Sequence, residues 1–175
     1  IEAIRVASGL HDIGKLQIPE EILTKPLSLT PEEYEIVKRH TQIGAKLITD
    51  LQIYQNERLV KYAIEICRWH HERWNGEGYP DGLKGDAIPI AAQVVSVADV
   101  YDALTSERCY KEAFSHEKSM RMIHSGECGS FNPLLLECLD EIAVRLQKEL
   151  SVVPYLDQGH SEARRTVEEL YASHS

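Results

Sequence analysis

Residues 89 to 107, PIAAQVVSVADVYDALTSE, limit what this chain can become. Apolar side chains fall on nearly every side of a 3.6-residue period, so a helix here must be central and buried among other elements. The β-branched residues would allow a strand, but the length and the alanines favour a helix. The partners it needs are also helical. Thr30-Pro31-Glu32-Glu33 is a capping box with proline at the first helical position, which predicts a helix from there through His40. Residues 56 to about 72 predict a second long helix, with Leu59, Ala63, Ile66 and His70 on one stripe. Residues 73 to 88 hold four of the ten glycines and a proline, and predict a loop. Ser115 caps a short helix. NPLLLECLDEIAVRLQKEL, residues 132 to 150, is a long amphipathic one, and residues 161 to 173 make a last, more polar helix. The expected fold class is all-α.

The 175 residues read as one domain with no linker to divide it, residues 151–175 forming a C-terminal helical extension. The chain opens mid-pattern, with Ile1 and Ile4 already at helical spacing and no initiator Met. It therefore reads as a piece whose N-terminal helix lies outside it. A net charge of −9 argues against a broad basic face for duplex DNA. An anionic substrate would need locally placed cations or metals. Cys67, Cys109, Cys128 and Cys138 form no CxxC pair and sit in apolar or helical stretches, so all four read as reduced, buried thiols. No apolar run is long enough to span a membrane, and the first residues do not resemble a signal peptide. The expected location is the cytoplasm, with no membrane contact by this chain.

Several stretches carry residues suited to metal chemistry. LHDIGK supplies adjacent His11 and Asp12, KRHTQIG supplies His40, RWHHE supplies His70 and His71, and VADVYDAL supplies Asp99. Neighbouring helix positions are about 100° apart, so two adjacent ligands suit a cluster of two or more metals better than one tight cage. Nitrogen and oxygen donors without thiolate favour iron, manganese or zinc. Asp99 lies among Val94, Val95, Val97, Ala98, Val100 and Ala103. A carboxylate buried there would be costly unless it were paired or held a cation. His116, His124, His160 and His174 have no such companions and read as surface or capping residues.

HDIGK, the IPEEIL.KP..LTPEE stretch after it, H.QIGA, HHERWNGEGYPDGLKG and ADVYDALTSERCYK stand in this order over residues 10 to about 140. Together they resemble the HD-GYP subgroup of the HD phosphohydrolase superfamily. The resemblance implies an HD-type helical bundle around a multi-metal centre, with an irregular GYP loop formed by Gly78, Tyr79 and Pro80. It implies a metal-dependent phosphodiesterase that hydrolyses cyclic di-GMP to linear pGpG and in some members GMP, related cyclic dinucleotides being substrates of a minority. It makes His11, Asp12, His40, His70, His71 and Asp99 metal ligands for two or three divalent ions, iron or manganese, with Asp12 bridging. Lys15 resembles the catalytic lysine. Arg108 and Lys111 match the basic residues that hold the substrate, with Tyr79 beside them. The loop could instead dock a GGDEF domain, and an upstream sensor or receiver domain is expected in the full-length protein. The alternative is a weak or inactive module that senses cyclic dinucleotides or docks a GGDEF domain. The sequence departs from the family pattern in three respects. An upstream helix that supplies a further His, and in some members a Glu, is not in this chain. Cys109 stands where Pro is common, and Asn132 where Asp is usual.

Overall fold

The fold is seen in a computed structural model, which describes residues 1–51, 57–107 and 113–152. Its helices are α1 (Glu2–Ser8), α2 (Glu20–Leu23), α3 (Pro31–Lys38), α4 (His40–Thr49), α5 (Arg58–Trp69), α6 (Ile90–Thr105), α7 (His116–Ser125) and α8 (Pro133–Val152), with 3-10 turns at Ile13–Gln17 and Gly85–Ala87. No strand occurs among the described residues, and the all-α class is borne out. The predicted helix over 161–173 and residues 153–175 of the extension lie outside the described residues. No described helix is long and apolar enough to cross a membrane.

Two compact units make up the chain, residues 1–98 and 99–175, and the boundary falls inside α6. In the first unit α5 packs against both α1 and α4, and the 3-10 turn at Ile13–Gln17 packs against α4. Ala7, Ala45, Ile48, Ala63, Ile66, Cys67, Ala91 and Val95 form its main core. Small residues there let helix backbones come close. A second cluster of Ile18, Ile22, Leu23 and Val37 seats α2 on α3. In the second unit Leu104, Ile123, Cys128, Phe131 and Leu139 are buried, and Tyr101 Oη lies 2.7 Å from His116 Nδ1.

The capping box forms as expected. Thr30 Oγ1 accepts from the Glu33 N–H at 3.3 Å, and Glu33 Oε2 accepts from the Thr30 N–H at 2.7 Å. The helix it starts does not run through His40. It stops at Lys38, and α4 restarts at His40 with Arg39 as the joint. Ser115 caps α7 as expected, accepting from the Lys118 N–H. Most of α6 is buried as expected, Ala91, Ala92, Val95, Val100 and Leu104 among it. One stripe of it, Ile90, Val94 and Ala98, is exposed. Apolar residues on every side show that a helix can be buried all round, not that partners cover every side. Cys138 is likewise exposed on α8, whereas Cys67 and Cys128 are buried as expected; Cys109 lies outside the described residues.

Candidate metal centre

Four of the expected ligands meet in the first unit. Asp12, His40, His70 and His71 each offer a ligand atom within 4.8 Å of all the others. They come from places far apart in sequence because helix ends meet here. Asp12 precedes the 3-10 turn, His40 opens α4, and His70 caps the C-terminus of α5. Gly14 lets the turn settle directly on α4. A Cβ at that position would lie 1.9 Å from the His40 carbonyl oxygen. Cys67 Sγ donates to the Leu10 carbonyl at 3.0 Å and ties α5 to the same segment. Burial pushes this thiol up to about 12, so it stays protonated and is not a competing ligand.

The imidazoles are held in one orientation. His11 Nδ1 meets the Ser8 carbonyl at 2.7 Å, His40 Nδ1 the Val37 carbonyl at 2.7 Å and His70 Nδ1 the Ile66 carbonyl at 2.8 Å. A carbonyl oxygen can only accept, so each Nδ1 carries a proton, and the neutral His40 and His70 rings turn an Nε2 lone pair inward. Burial lowers His40 to about 4 against the opposing pull of Asp12. Burial, reinforced by the neighbouring imidazoles, takes His70 and His71 well below the usual histidine range. These rings are therefore neutral at neutral pH, the form that binds metal.

Lone pairs then face one another. His40 Nε2 and His70 Nε2 are 3.5 Å apart, and they lie 3.3 and 3.9 Å from Asp12 Oδ1. Asp12 Oδ1 and His71 Nδ1 are buried with no hydrogen-bond partner. Buried acceptors converging without donors are unfavourable on their own and become favourable around a cation. The donor set is nitrogen and carboxylate oxygen, which suits a divalent transition metal.

The remaining expected residues fall as follows. His11 stands beside the four, its Nε2 3.2 Å from Asp12 Oδ2 and its ring 5.1 Å from that of His70. Lys15 is buried and donates to Asp12 Oδ2 at 2.9 Å. Burial alone would raise the Asp12 carboxyl, but the hydrogen bond to His11 and the charge of Lys15 outweigh it. The group is held well below its usual range. Tyr79 stacks on His71, with ring centroids 4.7 Å apart and planes 24° from parallel. Asp99 is half-buried on α6 and belongs to the second unit. Arg108 and Lys111 lie outside the described residues.

Sequence reasoning missed the residues that hold the GYP loop. Glu72 is buried, and its two carboxylate oxygens accept from the Asp81 and Leu83 N–H groups at 2.8 and 3.0 Å. Asp81 takes a bidentate pair from Arg68 at 2.8 and 2.9 Å and a third bond from Trp69 Nε1 at 2.7 Å. Gly78 rests on the Glu72–Arg73 backbone, where a Cβ would approach within 2.4 Å. Glu72 reads as solvated because charged residues follow many helix ends; its place directly after two ligands was the available signal.

The fold and this group define an all-helical domain with a candidate metal centre. A family model described as "HD domain" matches residues 2–133. The chain belongs to the HD domain family. It is 42% identical over 138 residues to a cyclic di-GMP phosphodiesterase of Vibrio cholerae serotype O1, covering 78% of this chain and 28% of that protein. A cyclic di-GMP phosphodiesterase of Thermotoga maritima is 42% identical over 153 residues, covering 87% of this chain and 39% of its own length. A 3'3'-cGAMP-specific phosphodiesterase 2 of Vibrio cholerae serotype O1 is 39% identical over 140 residues, covering 80% of this chain and 26% of its own length. The chain thus spans well under half the length of these curated relatives. The resemblance to the HD-GYP subgroup is borne out.

Proposed function

We propose that the protein is a metal-dependent phosphodiesterase that hydrolyses cyclic di-GMP to linear pGpG, and on to GMP if the second bond is also cut. The observation that carries this reading is the convergence of Asp12, His40, His70 and His71 in a chain whose relatives are named for this activity. His11 and Asp99 complete the proposed ligand set, for two or three ions of iron or manganese.

Bound divalent ions supply charge neutralisation on the phosphoryl oxygens and a water of lowered pKa. Within the protein, Asp12 directs one oxygen to the imidazoles and the other to the Lys15 ammonium. That pair holds the buried Lys15 ammonium beside Asp12, within the proposed site. There Lys15 stabilises the anion or protonates the leaving sugar oxygen. Arg108 and Lys111 grip the phosphates, Arg108 by a two-pronged hydrogen bond. Tyr79 walls the site on the loop side. For the whole protein we propose a cytoplasmic location, an upstream sensor or receiver domain, and docking of a GGDEF domain on the outer side of the GYP loop.

The test is elemental analysis together with product analysis on cyclic di-GMP under anaerobic conditions, with iron or manganese added. Metal in the protein and pGpG among the products support the reading. Tight cyclic di-GMP binding with no turnover at full metal occupancy would move the assignment to a sensing module.

A further inference from the structure

Tyr79 belongs to two places at once. Its ring stacks on His71 of the metal group, and it also lines a separate cavity. That cavity has a volume of about 250 Å³ and is bounded by Glu35, Lys38, Arg39 and Gln42 from the α3–α4 junction and by Tyr79 and Pro80 from the loop. Pockets that enclose a whole drug-sized ligand run to roughly 300–1,000 Å³, so this one suits a single base and not a dinucleotide.

Its polar groups are unevenly committed. The Lys38 ammonium pairs with Glu35 Oε1 and lies over the Tyr34 and Tyr79 rings, 5.1 and 5.6 Å from their centroids. Glu35 Oε2 has no partner among the described residues. The Arg39 guanidinium makes no hydrogen bond or ion pair with a described residue, although it directly precedes His40 and lines the cavity. The wall thus offers a two-pronged donor, a carboxylate acceptor and a primary amide. Inorganic phosphate would gain from Arg39 but be repelled by Glu35. A guanine edge satisfies both. Its O6 and N7 accept from a guanidinium fork, and its N1–H and N2–H groups donate to a carboxylate. Adenine has an amino group in place of O6 and no N1–H, so it meets the guanidinium donor to donor.

We propose that this cavity reads a guanine base of the substrate while the adjoining phosphate lies at the metal centre, with Arg39 and Glu35 as specificity-determining residues. The inference rests on the phosphodiesterase reading above and extends it to base selection.

The experiment uses the full metal-loaded chain and its Arg39→Ala, Arg39→Lys and Glu35→Gln variants. Hydrolysis is followed with cyclic di-GMP, cyclic di-AMP and bis(p-nitrophenyl) phosphate, which carries no base. Equilibrium binding of GMP and AMP is measured alongside. A bidentate base contact implies that the kcat/KM ratio of cyclic di-GMP to bis(p-nitrophenyl) phosphate falls roughly 5- to 150-fold in Arg39→Ala. Arg39→Lys keeps the charge but not the fork, and should lose most of that ratio too. Preference for GMP over AMP should shrink in all three variants. Unchanged ratios, or rescue by Arg39→Lys, would overturn the inference while leaving the phosphodiesterase reading intact. If the parent hydrolyses none of the three substrates, that reading fails, and the subsite is judged on nucleotide binding alone. Loss of GMP preference in Arg39→Ala then sustains it, and equal GMP and AMP binding by the parent sinks it.

Discussion

At Gly14 an added Cβ would lie 1.9 Å from the His40 carbonyl oxygen and 2.6 Å from the Gly44 nitrogen. Both contacts are backbone, so no rotamer change relieves them. Gly14→Ala should cost about 2–3 kcal/mol, the upper range for overpacking. It should also lower metal content, because the turn that moves carries Asp12. Denaturant melts and elemental analysis of the same sample check this, and a variant with parental stability would show that the turn yields easily. Metal content should also drop in His70→Ala, His71→Ala and, on the proposed ligand set, Asp99→Ala. Full occupancy in all three would rule out the cluster. Arg108→Ala should instead weaken cyclic di-GMP binding by about 1.5–3 kcal/mol, the worth of a hydrogen bond to a charged group. Calorimetry should find its metal unchanged. The histidines and Asp12 stood out in sequence because few other roles place such residues side by side. Gly14, Glu72 and Arg39 did not, since each acquires its role from a neighbour that only folding brings near.

Among the elements, the GYP loop is the one most fully tied down. Hydrogen bonds from Arg68 hold the Asp81 carboxyl below its usual 3.8, against the effect of burial and with help from Trp69. A lowered folded pKa means the contribution is complete above 3.8 and is lost as pH falls from there through the folded value. The pair is about a third exposed, at 33% and 29%, so its worth is put at about 0.5–1 kcal/mol after screening. Asp81→Asn should speed hydrogen exchange in residues 76–85 at neutral pH. It should also flatten the loss of protection expected of the parent as pH falls through the folded pKa of Asp81. Exchange identical in the two proteins would mean that Glu72 alone holds the loop. Helix boundaries were less legible than loops. No proline or glycine marks the α3–α4 break at Arg39, so the periodic pattern ran straight through it. The exposed Ile90–Val94–Ala98 stripe of α6 escaped notice for a related reason: hydrophobicity records what a face tolerates, and its coverage depends on which partners the topology supplies.

For the whole molecule, a metal bound at the candidate centre would stabilise the fold as well as serve the chemistry. Its ligands draw together the segment after α1, α4 and α5, and the core that α1, α4 and α5 share is built largely from small residues. A ligand that binds only the folded state adds about 2.7 kcal/mol at a concentration one hundred times its dissociation constant. Chelator should therefore lower the melting temperature of the parent by several degrees, and have little effect on Asp12→Asn. Scanning calorimetry with and without chelator decides it; a parent indifferent to chelator would separate metal from folding. The fold class was legible from periodicity. The division at Ala98–Asp99 was not, because it falls within an unbroken helix and leaves no mark in composition.

The carbonyls that orient the imidazoles carry one more consequence. Ser8, Val37 and Ile66 supply them from the last turns of α1, α3 and α5, so three helices aim their negative ends at one point. Together with Asp12 they favour a cation between them, the Lys15 ammonium being paired with the far oxygen of Asp12. A cyclic dinucleotide, itself doubly negative, should bind there more weakly until such cations are in place. On the proposed function, loading would be ordered, metal before nucleotide.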